Sequence, residues 1–135
     1  MADATYGPKV YRKQGGDELV VASGGKITNQ GQTAVTQATN ISTAVTCNAL
    51  NGVITTVSQT IAAGAEGEFT VNNSQVAATD VVVVCIKTHT SAGDFIAAVS
   101  AVADGSFKIR LTNLNAATAG NNVLVINFAV IKCEA

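Results

Sequence analysis

From Ser106 to Thr112 polar and apolar residues alternate without a break. Phe107, Ile109 and Leu111 fall on one side; Ser106, Lys108, Arg110 and Thr112 fall on the other. A period of two is the side-chain repeat of a β-strand, so the segment 106–113 predicts a strand with one buried face. Ala103-Asp104-Gly105 just before it is a hairpin signal, joining it to a strand predicted over Asp94 to Val102. Asn122 to Lys132 repeats the pattern with both faces apolar. Leu124, Ile126, Phe128 and Val130 point one way; Val123, Val125, Asn127, Ala129 and Ile131 point the other. Such a strand is expected at the centre of a sheet. Glu66 to Val71 predicts a short strand after the turn at Ala63-Gly64-Ala65. Thr79 to Lys87 predicts a strand covered on both faces, because nothing polar interrupts Val81 to Ile86.

Several strands with turn signals about every 10 residues predict an all-β fold, a β-sandwich or jelly roll. The Ala62-Ala63, Ala97-Ala98 and Ala116-Ala117 pairs are flanked by Gly, Val, Ile and Thr rather than by strong helix formers, which argues against helix. A single domain is expected at 135 residues. It should span 32–135, after an extended N-terminal arm at 1–31. In the arm, Gly15-Gly16 and Gly24-Gly25 punctuate Lys9-Val10-Tyr11-Arg12-Lys13 and two short extended pieces, Glu18 to Ala22 and Lys26 to Thr28. Pieces so short cannot bury a face alone. They should lie on the domain, on a sister chain or on a foreign surface.

Residues 27–65 contain no charged residue, and nine of them are Thr. A solvent-facing sheet normally scatters Lys and Glu over its outer face and edges. Their absence suggests a surface that meets other protein; a Thr- and Asn-rich exterior of a monomeric sandwich is the plainer alternative. Only 13% of the whole chain is charged, with 47% hydrophobic residues, which excludes disorder. Eight basic and nine acidic residues leave a net charge of −1, so no nucleic-acid partner is expected. No apolar run approaches the roughly 20 residues of a membrane helix. Met1 to Gly7 has neither the basic nor the apolar region of a secretion signal, so synthesis in the cytoplasm is expected.

No catalytic constellation emerges, and no enzyme is expected. His89 is the one histidine, in the polar stretch Lys87 to Gly93 read as a loop. Ser91, His89 and Asp94 make a triad only on paper, since such groups usually come from separate elements. An interface residue sensitive to pH is the other use for His89. Cys47, Cys85 and Cys133 are too dispersed for a zinc site, and no metal or cofactor is expected. They read as free thiols, with Cys85 in the core. Glu66 and Glu68 share a strand face; a solvated acidic edge is expected there, and a calcium site only if Asp80 and Asp94 join them. Gly15-Gly16 lacks the Lys-Ser/Thr of a phosphate loop. Asn40-Ile41-Ser42 and Asn72-Asn73-Ser74 match the glycosylation pattern by chance.

The run from Lys9-Val10-Tyr11-Arg12-Lys13-Gln14-Gly15-Gly16 through Val20-Val21-Ala22-Ser23-Gly24-Gly25-Lys26-Ile27 resembles the N-termini of small head proteins of tailed bacteriophages. Phe69 to Ser74, Ala78 to Val83, Ala103 to Leu114 and Val125 to Ile131 follow the same group in order. The resemblance covers both ends of the chain but not 29–60, and few glycines follow the arm to suggest a repetitive shaft. It implies a capsid decoration, or cement, protein. Such a protein sits on the outer capsid of the virion, often as a trimer, and clamps neighbouring major capsid protein subunits through its arm. The homo-oligomer and the major capsid protein are then the expected partners. Tyr6, Lys9, Tyr11, Arg12 and Lys13 are the expected capsid contacts, as aromatics and Arg commonly anchor interfaces. The alternative is a head fibre or receptor-binding domain contacting host-surface glycans, supported by Asn- and Thr-rich loops and weakened by the lack of Trp.

Overall fold

The computed structural model describes residues 8–29, 31–89 and 94–134. In chain order the strands are β1 (Val10–Arg12), β2 (Leu19–Val21), β3 (Thr33–Thr36), β4 (Val45–Thr46), β5 (Asn51–Thr55) and β6 (Gln59–Ile61), then β7 (Glu66–Asn72), β8 (Val81–His89), β9 (Phe95–Ala103), β10 (Ser106–Asn113), β11 (Gly120–Asn122) and β12 (Leu124–Ile131). Among the described residues there is no helix. The chain divides into two units, residues 1–30 and 31–135.

The larger unit is a β-sandwich. One sheet has the order β3-β5-β12-β8 and the other β4-β7-β10-β9. A short β11-β6 ribbon stands beside them in sequence. The neighbours β3/β5 and β4/β7 run parallel; the other pairs are antiparallel. The strand with two apolar faces, β12, lies between β5 and β8, at the centre of its sheet as its composition predicts. The alternation in 106–113 turns Phe107, Ile109 and Leu111 inward, where all three are buried. They meet Ile54, Leu124, Ile126 and Phe128 of the facing sheet in one core. Gly105, at φ +78°, completes the β9–β10 turn in a conformation that a residue with a Cβ resists.

Three buried amides fasten the loops to this core. Gln37 Nε2 donates to the carbonyls of Ile41 (3.0 Å) and Thr43 (2.7 Å), and its Oε1 accepts from Val57 N. Asn73 Nδ2 donates to Ala49 O at 2.7 Å. Asn113 Nδ2 lies within 3.2 Å of the carbonyls of Ile61, Ala62 and Thr118. Satisfied buried amides fix loop positions, because losing a partner would strand a polar group in the interior.

The smaller unit departs from the expected extended arm. β1 and β2 pair antiparallel as a hairpin, with Val10 opposite Val21, Tyr11 opposite Val20 and Arg12 opposite Leu19. Gly15 and Gly16 make the turn with φ of 110° and 85°. Residues 26–28, expected as a second extended piece, form no strand.

The expectation that β8 is covered on both faces is also corrected. Among the described residues β8 is an edge strand, with β12 as its neighbour in the sheet. Val82, Val84 and Ile86 turn to the core side, while Val81, Val83 and Cys85 face outward and are exposed. An unbroken apolar run does not distinguish burial by the chain itself from exposure. Cys85 is therefore not a core thiol; Cys47 is the buried one, and burial pushes its thiol pKa up.

Candidate interaction surfaces

Of the expected contact residues, Tyr6 lies outside the described residues. Lys9, Tyr11, Arg12 and Lys13 are brought onto or beside β1. Lys9 closes the base of the hairpin. Its carbonyl accepts from Ala22 N at 2.8 Å, and its side chain lies over Gly24. Lys13 closes the other end, with its ammonium 3.0 Å from Glu18 Oε2 and its carbonyl accepting from Gly16 N. Both of those ends are exposed, so the Lys13–Glu18 pair adds little stability. Tyr11 and Arg12 project to opposite sides, as neighbours on a strand must.

The small unit, hairpin and following segment together, is rich in exposed apolar side chains. Leu19 is 60% exposed and Ile27 73%, with Val10, Tyr11 and Val21 also exposed. A two-stranded hairpin is at best marginal in water without a partner for one face.

The outer faces of the two large sheets differ sharply. On the β4-β7-β10-β9 sheet, Glu66, Glu68, Lys108 and Arg110 form a charged cluster. Glu68 accepts from Ser100 Oγ (2.7 Å), Lys108 Nζ (3.2 Å) and Arg110 Nη2 (3.2 Å), and Arg110 Nε lies 3.6 Å from Glu66. The Ser100 hydroxyl, then the Lys108 ammonium, hold the Glu68 carboxyl below the usual carboxylate range. The expected acidic edge is thus a mixed-charge face.

The outer face of the β3-β5-β12-β8 sheet carries no such cluster. Register places Ala34, Val53, Asn127 and Cys85 in one row across all four strands. Asn51, Ala129 and Val83 make the next row, and Ile131 stands beside Val81. In the other direction the row is Thr36, Thr55, Val125 and Thr88. None of these residues is charged. Lys87, skipped in the register between Ile86 and Thr88, is the first charge reached, at the rim. A shallow cleft of about 180 Å³ opens between β8 and β12, lined by Val83, Val84, Cys85, Asn127, Phe128 and Ala129. There Asn127 Oδ1 is buried without a hydrogen-bond partner, a state that costs roughly 1–3 kcal/mol.

Among the described residues the other candidate groups are not assembled into a site. His89 ends β8 rather than lying in a loop, and Ser91 lies outside the described residues. Asp80 is committed elsewhere: it pairs with Lys132 and accepts from the backbone of Ala77 (2.8 Å) and Cys133 (3.1 Å). Asp94 lies 3.5 Å from Asn115 Nδ2. Among the described residues no cluster of three or more His, Cys, Asp or Glu is placed to hold a metal ion.

Sequence reasoning singled out the arm and, in the charge-free 27–65, the β3 and β5 part of the uncharged sheet face, but it missed the β8 and β12 part. The signal was present as two interleaved apolar sets on β8 and β12, which read as core on both sides. No family model matches the chain, and comparison with curated proteins and with solved structures finds no match.

Proposed function

We propose that this chain is a structural virion protein that binds the outside of a bacteriophage capsid and clamps neighbouring major capsid protein subunits. The observation that carries this is the small unit built on the β1–β2 hairpin, in which the hairpin side chains Val10, Tyr11, Leu19 and Val21, and Ile27 after them, are exposed. A unit of that size gains order by docking on a larger surface, and Tyr and Arg are the residues that anchor such contacts. The likeness of 9–27 to the arms of small phage head proteins supplies the kind of surface.

Mechanism follows from mass action. A clamp that spans subunit joints present only in the expanded shell stabilises that shell by its binding free energy. Several copies joined as an oligomer, a trimer in this reading, multiply weak arm contacts through effective concentration. No catalysis is involved. Co-sedimentation with expanded empty shells tests the proposal. The full chain pellets with shells, and a chain lacking residues 1–16 remains folded but stays in the supernatant. Shell binding retained by that truncation removes the arm from the contact.

A further inference from the structure

We infer that the open edge of β8 takes up strand β2 of a second copy of this chain, so that neighbouring copies are joined by an added strand. It rests on the oligomer in the proposed function, not on shell binding, and is tested without shells.

The first observation is the phase of the backbone ladders. Among the described residues β8 ends its sheet, and the β1–β2 hairpin is a sheet of its own that does not extend β8 of its own chain. A sheet edge is a row of unpaired N–H and C=O groups, which another extended backbone satisfies along its length. In an antiparallel ladder alternate residues bond the partner and the rest point away. In the hairpin, Ala22 N donates to Lys9 O and Lys13 N donates to Glu18 O. Glu18, Val20 and Ala22 therefore face β1, and Leu19 and Val21 offer their groups outward. On β12, Leu124 O accepts from Thr56 N and Val130 N donates to Leu50 O, so the even-numbered residues face β5. Asn127, Ala129 and Ile131 then bond Cys85, Val83 and Val81, which leaves Val82, Val84 and Ile86 to offer their groups at the open edge.

The second observation is charge. β8 is uncharged from Val81 to Ile86 and then meets Lys87; β2 is uncharged from Leu19 onward and is preceded by Asp17 and Glu18. Antiparallel addition of β2 sets Glu18 opposite Lys87, and the same register sets Leu19 opposite Ile86, Val20 opposite Cys85 and Val21 opposite Val84. Charge alone chooses this register, yet it also brings outward-pointing Leu19 and Val21 to outward-pointing Ile86 and Val84. Parallel addition turns Glu18 toward the Asp80 end instead. β1 has bases at both ends, Lys9 and Arg12-Lys13, and β3 has no charge to meet Lys87, so β2 is the matching strand. The exposed side chains of Leu19 and Val21 gain apolar neighbours in Ile86 and in Val84, which packs against the core.

The third observation is where the arm is attached. It leads into β3, the edge of the sheet opposite β8. A neighbour lying alongside, in the same orientation, brings its β8 edge to the side from which the arm departs. Each copy gives one β2 and receives one at β8, a head-to-tail contact that closes as a ring. In a trimeric ring every edge is filled, and releasing one copy breaks two contacts. β1 becomes the new outer strand, leaving Lys9, Tyr11, Arg12 and Lys13 for the shell.

The register makes Val20 and Cys85 a non-hydrogen-bonded pair, with Cα atoms about 4.5 Å apart, within disulfide reach. The experiment is mild oxidation of the full chain carrying Cys133→Ser and Val20→Cys, read by non-reducing electrophoresis and peptide masses. Cys47 is buried and stays out of the reaction while the chain is folded. The expected product is a disulfide from position 20 to Cys85 of another copy, in covalent multiples of 13.6 kDa. Tyr11→Cys in place of Val20→Cys lies one strand further from Cys85, about 9.6 Å away, and should form no such link. In sedimentation equilibrium Lys87→Glu should weaken association several-fold, and adding Glu18→Lys should restore it. Four results overturn the inference: a native monomer; a link from position 20 to Cys85 within one chain; an oligomer in which Tyr11→Cys links to Cys85 as well as Val20→Cys does; or association indifferent to Lys87→Glu. Shell binding is read separately by co-sedimentation, so none of these decides it.

Discussion

The rings of Phe107 and Phe128 lie 5.3 Å apart between centroids with their planes tilted by 54°. One comes from β10 and the other from β12, so this pair joins the two sheets across the core. Tilted aromatic pairs contribute about 0.5–1.5 kcal/mol beyond their burial. Phe107→Ala and Phe128→Ala should each cost about 3–5 kcal/mol in urea unfolding. The double variant should cost less than the sum, because the first substitution already removes the shared contact. Strict additivity would show that the rings stabilise the sheets separately.

Gly52 should resist even alanine. A Cβ there would stand 2.5 Å from Phe128 Cε1, 2.8 Å from the Thr33 carbonyl and 2.9 Å from Cys47 Sγ. Overpacking of this kind costs about 1–3 kcal/mol, and Gly52→Ala should lower the urea midpoint accordingly. An unchanged midpoint would mean that β3 and β5 separate freely.

The Asn113 amide should be irreplaceable by its own isostere. Asn113→Ala removes the donor to three carbonyls and should cost about 1–3 kcal/mol. Asn113→Asp should cost more at neutral pH, because it aims a carboxylate at those carbonyls. Protonation supplies a donor again, so this variant's relative stability should recover as pH falls. Thermal melts at pH 7 and pH 4 distinguish the two substitutions; equal losses at both pH values would contradict the donor role.

Acid should release the C-terminal end of the chain. Lys132, then the backbone N–H of Ala77, hold the Asp80 carboxyl below its usual range. The unfolded state therefore binds the proton more readily, and this contribution to stability rises with pH across that window. It is fully present above the ordinary Asp value of about 3.9 and is lost as pH falls through the lower folded value. Glu68 contributes with the same sign. Urea midpoints between about pH 6 and pH 2 should therefore fall less steeply for Asp80→Asn than for the parent chain. Identical slopes would show that the Lys132 pair forms no part of acid stability.

The sandwich was legible wherever a period of two separated core from solvent. The segment 106–113 and the Asp104-Gly105 turn predicted β10 and its hairpin, and the doubly apolar 122–132 predicted a central strand. The failures fall where the local pattern carries no information about tertiary neighbours. Val81 to Ile86 is apolar at every position, so its pattern does not say which side the chain itself covers. Asn113 and Gln37 look like ordinary surface polar residues until distant or neighbouring carbonyls converge on them. In the arm, three-residue strands carry too little pattern to announce their pairing; the Gly15-Gly16 turn was visible, but not what it joined.

The proposed clamp must discriminate between shell states, since a ligand shifts an equilibrium only by its difference in affinity for the two states. The most direct test compares binding of the full chain to expanded and unexpanded shells of the same major capsid protein. The clamp predicts tight, saturable binding to expanded shells, little to unexpanded ones, and a matching rise in the thermal stability of the expanded form. Equal affinity for both states, or none for either, would contradict it.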